Sequence, residues 1–219
     1  MSPPSPLSTE CDNSDVHTEK VTSKEACLSA IRGRSVPREM LRGSLVQAQM
    51  IQAIVCGIRH HEAFATSTDI ERVCSGGAYP AVSRARAARL IMSNQIPELN
   101  MDAPEAIPYC IWYPDVAFEE TYRQLAERYP AMRYHVGRAC AVAGYAGLYW
   151  NLKLVPEVAI AEEARDSGSN DIFEYIMSQP TRYAIMNDYK RTVNIEHPIF
   201  PASSTTTLLY ALILTGGLH

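Results

Sequence analysis

The sequence predicts an all-α protein made of short, stacked helix–turn–helix pairs with flexible ends. Apolar residues from Leu41 to Ile58 recur at intervals of three and four positions, which is the spacing of one helix face. Between residues 136 and 177, a phrase of small residues, a glycine and a large apolar pair occurs twice. Helices that end at a glycine and fold back have this pattern. The alternation of polar and apolar residues that marks a strand is almost absent, which disfavours a sheet-based fold.

The bulk composition is that of an ordinary globular protein. The chain has 219 residues, of which 47% are hydrophobic and 20% charged, enough for one good-sized domain. A net charge of −4 argues against a nucleic-acid partner, which would need many cations to neutralise phosphates. The six cysteines form no Cys-x-x-Cys pair, which favours free thiols in a reducing compartment. We therefore expect a cytoplasmic protein, with the nucleus also open, that binds neither nucleic acid nor membrane.

Composition divides the chain into three parts. Residues 1–24 are rich in Ser, Thr, Pro, Asp and Glu and carry few large apolar side chains, so they predict a disordered N-terminal tail. Residues 25–200 form the predicted helical domain. Residues 201–219 predict a loosely attached C-terminal tail, whose apolar run Leu208–Leu214 is far shorter than the roughly 20 residues of a membrane-spanning helix.

The first half of the helical domain begins with three predicted helices. A short helix is expected over 25–31, before the break at Gly33. Pro37 suits the first turn of the next helix, whose apolar stripe runs on to Ile58. A shorter helix is expected over 68–74, and Gly76-Gly77 ends it.

The next elements lead up to the doubled phrase. A helix is predicted over 82–93, and the three prolines of 94–108 predict a connecting loop. The apolar and aromatic segment 108–113 predicts either a strand or one buried helical turn. Asp115 is the expected N-cap of a helix over 116–129.

The two copies of the phrase come next and are separated by Pro156. Gly144 and Gly168 each stand where a helix must stop and the backbone becomes left-handed or open, which costs glycine little. Pro180 closes the second copy. One more helical piece is expected within 181–200.

The doubled phrase resembles ankyrin repeats. In that family the inner helix carries paired small residues and ends in a glycine, and the outer helix starts with an apolar pair. The matching residues are Cys140, Ala141, Gly144, Tyr145, Leu148 and Tyr149 in the first copy and Ala164, Gly168, Ile172 and Phe173 in the second. Two features depart from the family: the glycines are 24 residues apart, against about 33 in an ankyrin repeat, and the Thr-Pro-Leu-His opening is missing.

The resemblance implies a protein-interaction module. Stacked helix pairs leave a long exposed groove on a rigid frame, and the partner is another protein. If the family's layout carries over, the polar positions of the inner helices face that groove. They are Arg138 in the first copy and Glu162, Glu163 and Asp166 in the second. An unrelated helical bundle in which such turns recur is the alternative fold.

A longer stretch, 107–194, is similar to uncharacterised fungal proteins with a degenerate ankyrin-like core. Three phrases carry the similarity, and they are Ile107–Pro114, Arg138–Tyr145 and Arg182–Tyr189. This similarity implies a fold and a fungal source but no activity.

Catalytic and metal-binding motifs do not stand out. There is no Gly-x-Ser-x-Gly elbow and no phosphate-binding loop. His60 and His61 are adjacent, so on a helix they diverge instead of converging on one ion. We therefore expect no catalytic residue, no metal ligand and no cofactor. Two alternatives stay open: a small helical enzyme or ligand-binding accessory protein of small-molecule biosynthesis, with a tyrosine-rich pocket in 109–149, and a truncated or decayed member of the group.

Overall fold

A computed structural model describes residues 23–41, 48–103, 107–196 and 199–202. The chain divides into two compact units, residues 1–82 and 83–219. The described residues are mostly helical, which confirms the all-α class. The predicted tails, apart from residues 23, 24, 201 and 202, lie outside the described residues. The division into 1–24, 25–200 and 201–219 therefore stays a prediction.

The first unit consists of short helices around a small apolar core. Their bounds are 23–31 (α1), Arg38–Leu41 (α2), Ala48–His60 (α3), Glu62–Ala65 (α4) and Thr68–Ser75 (α5). Ile54, Ile58 and Ile70 are fully buried. The predicted stripe is confirmed only at Ile58, because Ile51 and Val55 are half-buried and the buried face of α3 is centred on Ala53, Ile54 and Gly57 instead. The helices expected over 25–31 and 68–74 are confirmed. Residues 42–47, in the middle of the long predicted helix, lie outside the described residues.

The second unit is built around one central helix. The helices here are Pro80–Met92 (α6, which starts in the first unit), Glu119–Arg128 (α7), Arg133–Ala143 (α8), Ala146–Leu152 (α9), Val158–Asp166 (α10) and Asn170–Ser178 (α11). Helix α8 packs against α7, α9 and α10, and α10 also packs against α11. Every residue from 134 to 141 is buried, so α8 is enclosed on all sides of its middle turns.

The two glycine turns have the same geometry, as the doubled phrase predicts. Gly144 and Gly168 both have φ = +75°. The N–H after each glycine donates to a carbonyl five residues back, from Tyr145 to Cys140 at 3.0 Å and from Ser169 to Ala164 at 2.8 Å. The two turns are also joined, because the Ser169 hydroxyl donates to the Ala141 carbonyl at 2.5 Å.

The helical piece expected within 181–200 is wrong, because this stretch forms four short strands. They are Arg182–Ala184 (β1), Met186–Asn187 (β2), Thr192–Val193 (β3) and Ile199–Ala202 (β4). β1 pairs with β4 and β2 with β3, both antiparallel. The main chain just before α10 supplies a further partner, because the Tyr183 N–H donates to the Pro156 carbonyl at 2.7 Å. The backbone of this segment is extended, and its hydrogen bonds go to other strands and to Pro156. These hydrogen bonds replace the internal ones that a helix would have formed.

The start of α7 also differs from the prediction. The helix begins at Glu119, and Asp115 is not its N-cap but pairs with Arg89 at 2.5 Å. The Asn94 side chain serves the helix start instead, since its Oδ1 accepts the Phe118 N–H at 2.6 Å. The segment 108–113 forms neither a strand nor a helical turn. It is an irregular core segment, fixed by the Tyr122 hydroxyl, which donates to the Ile111 carbonyl at 2.7 Å.

Candidate functional site

Arg138 lies at the centre of the enclosed helix α8. Only 7% of this residue is exposed. It is a charged side chain in a helical stretch whose adjacent residues are glycine, alanine and cysteine. Its guanidinium lies over the Trp112 ring, 4.9 Å from the ring centroid, which is cation–π distance. A buried cation needs anionic partners nearby, because leaving it unpaired in a low-dielectric interior is costly.

Two carboxylates supply that pairing. Asp188, in the turn after β2, contacts Arg138 through both oxygens, with Nη2 to Oδ2 at 2.9 Å and Nη1 to Oδ1 also in contact. Glu163 of α10 accepts from Nε at 3.0 Å. The hydrogen bond from Arg138 holds the pKa of Asp188 below its usual value. The pair is bidentate, the geometry in which arginine binds a carboxylate most strongly.

A tyrosine completes the Arg138 cluster, by which we mean Tyr109, Trp112, Arg138, Glu163 and Asp188. The Tyr109 hydroxyl donates to Asp188 Oδ1 at 2.7 Å. Burial and this contact with Asp188 raise the pKa of Tyr109, so the hydroxyl keeps its proton. Each of the three phrases Ile107–Pro114, Arg138–Tyr145 and Arg182–Tyr189 contributes to the cluster. The first contributes Tyr109 and Trp112, the second Arg138 and the third Asp188.

The structure separates the four residues that were predicted to line a groove. Arg138 and Glu163 are bonded to each other inside the cluster. Glu162 is half-buried beside them, and burial raises the pKa of its carboxyl. Asp166 is exposed at the end of α10, where it accepts from Arg165 at 2.9 Å. Arg138 thus faces the chain's own Trp112 and Asp188, and Glu162 and Asp166 lie nearer the surface.

Two functional candidates were not predicted from the sequence. Asp188 lies in the phrase Arg182–Tyr189, but nothing in its local pattern links it to Arg138, 50 residues away. Glu157 is 1% exposed and caps α10, with Oε2 accepting the Ile160 N–H at 2.9 Å. Its Oε1 accepts the N–H groups of Ile185 and Met186, both at 3.2 Å. The only signal was an acid directly before the apolar run of α10, a position where Ser, Thr, Asp and Asn are the usual caps.

The tyrosines of 109–149 mostly fill the core. Tyr122 is fully buried, with its hydroxyl on the Ile111 carbonyl, and the Tyr129 hydroxyl accepts the Leu99 N–H at 3.1 Å. A depression of about 430 Å³ does lie between the two glycine turns, but residues 142–144, 146 and 167–172 line it. The hydroxyls of Tyr122 and Tyr129 are thus hydrogen-bonded to the protein's own backbone and do not line this depression.

Within the described ranges, no group of three or more His, Cys, Asp or Glu side chains is placed to hold a metal ion. The same residues include no helix with the length and apolarity needed to cross a bilayer.

Comparison with known proteins gives a match to a family model. Residues 112–203, less than half of the chain, match the family model described as the YKP1 C-terminal domain. This stretch begins at Trp112 and contains Arg138, Glu157, Glu163 and Asp188, whereas Tyr109 lies just outside it. No curated protein and no solved structure matches the chain.

Proposed function

We propose that the chain is a non-catalytic protein-interaction module built on two ankyrin-like helix pairs, α8–α9 and α10–α11. The observation that carries the proposal is the equivalence of the pairs, which turn at Gly144 and Gly168 with the same φ and the same backbone bond. The inner helices α8 and α10 pack side by side, and the outer helices α9 and α11 also touch. This arrangement is how stacked helix pairs build a rigid binding frame.

The binding face is proposed to be the polar side of α10 together with the turn that carries Asp188. The inner face of α8 is occupied by Trp112 and Asp188, so a partner meets α10 and this turn first. Asp166 is exposed there, and Tyr189 is 97% exposed, the largest exposure of any large apolar side chain among the described residues. The hydrogen bonds between Arg138 and Asp188 hold this turn in place. Tyr189, the next residue, therefore offers contact area at a low entropic cost.

The test is affinity capture of proteins from a cell lysate at physiological salt, with the purified full chain as bait. The captured proteins are identified by mass spectrometry. The wild type is compared with Asp166→Lys and Tyr189→Ala, which alter the proposed face without touching the core. The matched control is Glu127→Lys, an exposed acid on α7. Thermal melting of all four proteins ensures that each is folded.

A stoichiometric partner that the wild type and Glu127→Lys retain, and that Asp166→Lys and Tyr189→Ala lose, supports the proposal. Equal capture by all four proteins contradicts the proposed face. A small molecule in the eluate without a protein partner contradicts the interaction module itself and favours the ligand-binding alternative.

A further inference from the structure

We infer that Glu157 is a pH-sensitive clamp that holds the turn carrying Asp188 and Tyr189 against α10, tightening as the pH falls below 7 and loosening as the pH rises towards 7. This inference deepens the proposed function, because the turn belongs to the proposed binding face. The clamp itself is a property of the chain alone and is tested without any partner.

The geometry places one carboxylate between the start of α10 and the strand segment that leads to the turn. One oxygen holds the first turn of α10 through Ile160, and the other holds the strand segment through Ile185 and Met186. Residue 157 also forms an isolated parallel bridge with Tyr183. Asp188 follows Met186 by two positions, so the two hydrogen bonds that Glu157 accepts from Ile185 and Met186 fix the base of its turn.

In the part of the chain that the structure describes, Glu157 forms no ion pair, although the charge of Arg138 lowers its pKa in part. The charged or titratable groups that face it are Arg138 and Tyr134 of α8, Tyr149 of α9 and Tyr109 of the segment before α7. Arg138 is bonded to Asp188 and Glu163, and burial raises the pKa of all three tyrosines, which stay neutral. His135, also on α8, is neutral near pH 7 because burial lowers its pKa to about 4.

Proton linkage then fixes the direction of the switch. Burial raises the pKa of Glu157 to about 7 in the closed clamp, although the hydrogen bonds from three backbone N–H groups lower it in part. In an open clamp the carboxyl meets water and returns towards its ordinary value of 4.5. The closed form therefore binds a proton more tightly than the open form, and raising the pH favours opening.

The test is amide hydrogen exchange of the full chain at pH 6 and pH 8, corrected for the intrinsic exchange rates. With the two pKa values above, linkage predicts that the protection factors of the Ile185 and Met186 amides fall about tenfold over this range. Amides in the middle of α8 serve as the internal reference and should not follow. Glu157→Gln should abolish the difference between the two pH values, whereas Glu163→Gln, which removes a carboxylate of the Arg138 cluster, should keep it.

Protection that stays constant or rises from pH 6 to pH 8 overturns the inference. If Glu157→Gln fails to fold, a ¹³C NMR titration of the Glu157 carboxyl in the wild type decides: a midpoint near 7 supports the clamp, and a midpoint below 5 rules it out. Because no partner is present, failure to capture a protein with the chain leaves this result intact.

Discussion

At the scale of single residues, the glycine turns are the positions where the backbone demands a particular side chain. Gly144 has φ = +75°, and a Cβ added there would meet only Ser169 Oγ, at an ordinary 3.7 Å. Substitution is therefore costly because of the backbone conformation and not because of crowding. We expect Gly144→Val to lower the free energy of unfolding by about 1–3 kcal/mol.

The matched variant for this prediction is Gly144→Asn, since asparagine tolerates the left-handed region and should cost less than valine. Urea unfolding followed by tryptophan fluorescence measures both, because Trp112 and Trp150 lie in the second unit. A valine variant as stable as the wild type would refute the role of Gly144 as a left-handed helix end.

Gly57 illustrates the opposite case, in which space and not φ is limiting. A Cβ at this position of α3 would lie 1.9 Å from the Ala30 carbonyl oxygen of α1. Because that atom belongs to the backbone, the two helices must move apart. We expect Gly57→Ala to destabilise the first unit by about 1–3 kcal/mol. Chemical unfolding followed by far-UV circular dichroism measures this loss of stability. The control is Gly76→Ala, whose new Cβ meets nothing closer than 3.7 Å, so its stability should change little.

At the scale of elements, the Arg138 cluster joins four parts of the second unit: the segment before α7, the central helix α8, α10 and the turn after β2. Asp188→Asn removes the bidentate partner of a guanidinium whose side chain is 9% exposed. Since the Asp188 side chain is itself 59% exposed, solvent screening reduces the loss. We expect a destabilisation of about 1–2 kcal/mol, in the lower range for hydrogen bonds between charged groups.

Asp166→Asn is the control for this prediction, because Asp166 makes an exposed ion pair with Arg165. Pairs of that kind contribute about 0–1 kcal/mol, so this variant should unfold nearly as the wild type does. Chemical denaturation of both variants gives the comparison. Equal stability of Asp188→Asn and Asp166→Asn would mean that the cluster does not hold the turn.

The elements that were predictable from the sequence are those whose signal is local. The helices over 25–31 and 68–74 and both glycine turns depend on spacing and on glycine, and all of them form. The strands of 181–202 were missed because their backbone bonds come from distant residues such as Pro156 and Glu157. The N-cap of α7 was misassigned for the same reason, since Asn94 reaches it from another segment.

The candidate site shows the same limit. Arg138 and Glu163 were singled out from their positions in the doubled phrase, but their expected direction, towards an open groove, came from the family resemblance. Asp188 and Trp112 determine where Arg138 points, and they lie 50 and 26 residues away from it. A pattern within one helix carries no information about such partners, so the cluster emerges only from the fold.

At the scale of the whole molecule, two buried groups make stability depend on pH in opposite directions. Burial lowers the pKa of His135 from 6.5 to about 4, so the unfolded chain binds the extra proton first as the pH falls. The contribution of His135 is therefore lost between about pH 6.5 and 4. Burial raises the pKa of Glu157 from 4.5 to about 7, so the folded chain binds that proton first. The contribution of Glu157 is therefore lost as the pH rises from about 4.5 to 7.

In the wild type these two contributions oppose each other between about pH 4.5 and 6.5, and each single variant should expose the other. Relative to the wild type, Glu157→Gln should lose stability as the pH falls through this window, on the order of 1 kcal/mol per pH unit, and His135→Gln should gain stability by a similar amount. Urea unfolding at pH 4.5, 5.5 and 6.5, followed by tryptophan fluorescence, measures both slopes, with Glu127→Gln as a surface control. Because a constant packing penalty moves each curve without changing its slope, only the difference in slope tests the two buried groups. Parallel curves for both variants and the wild type would show that neither group changes its proton affinity on folding.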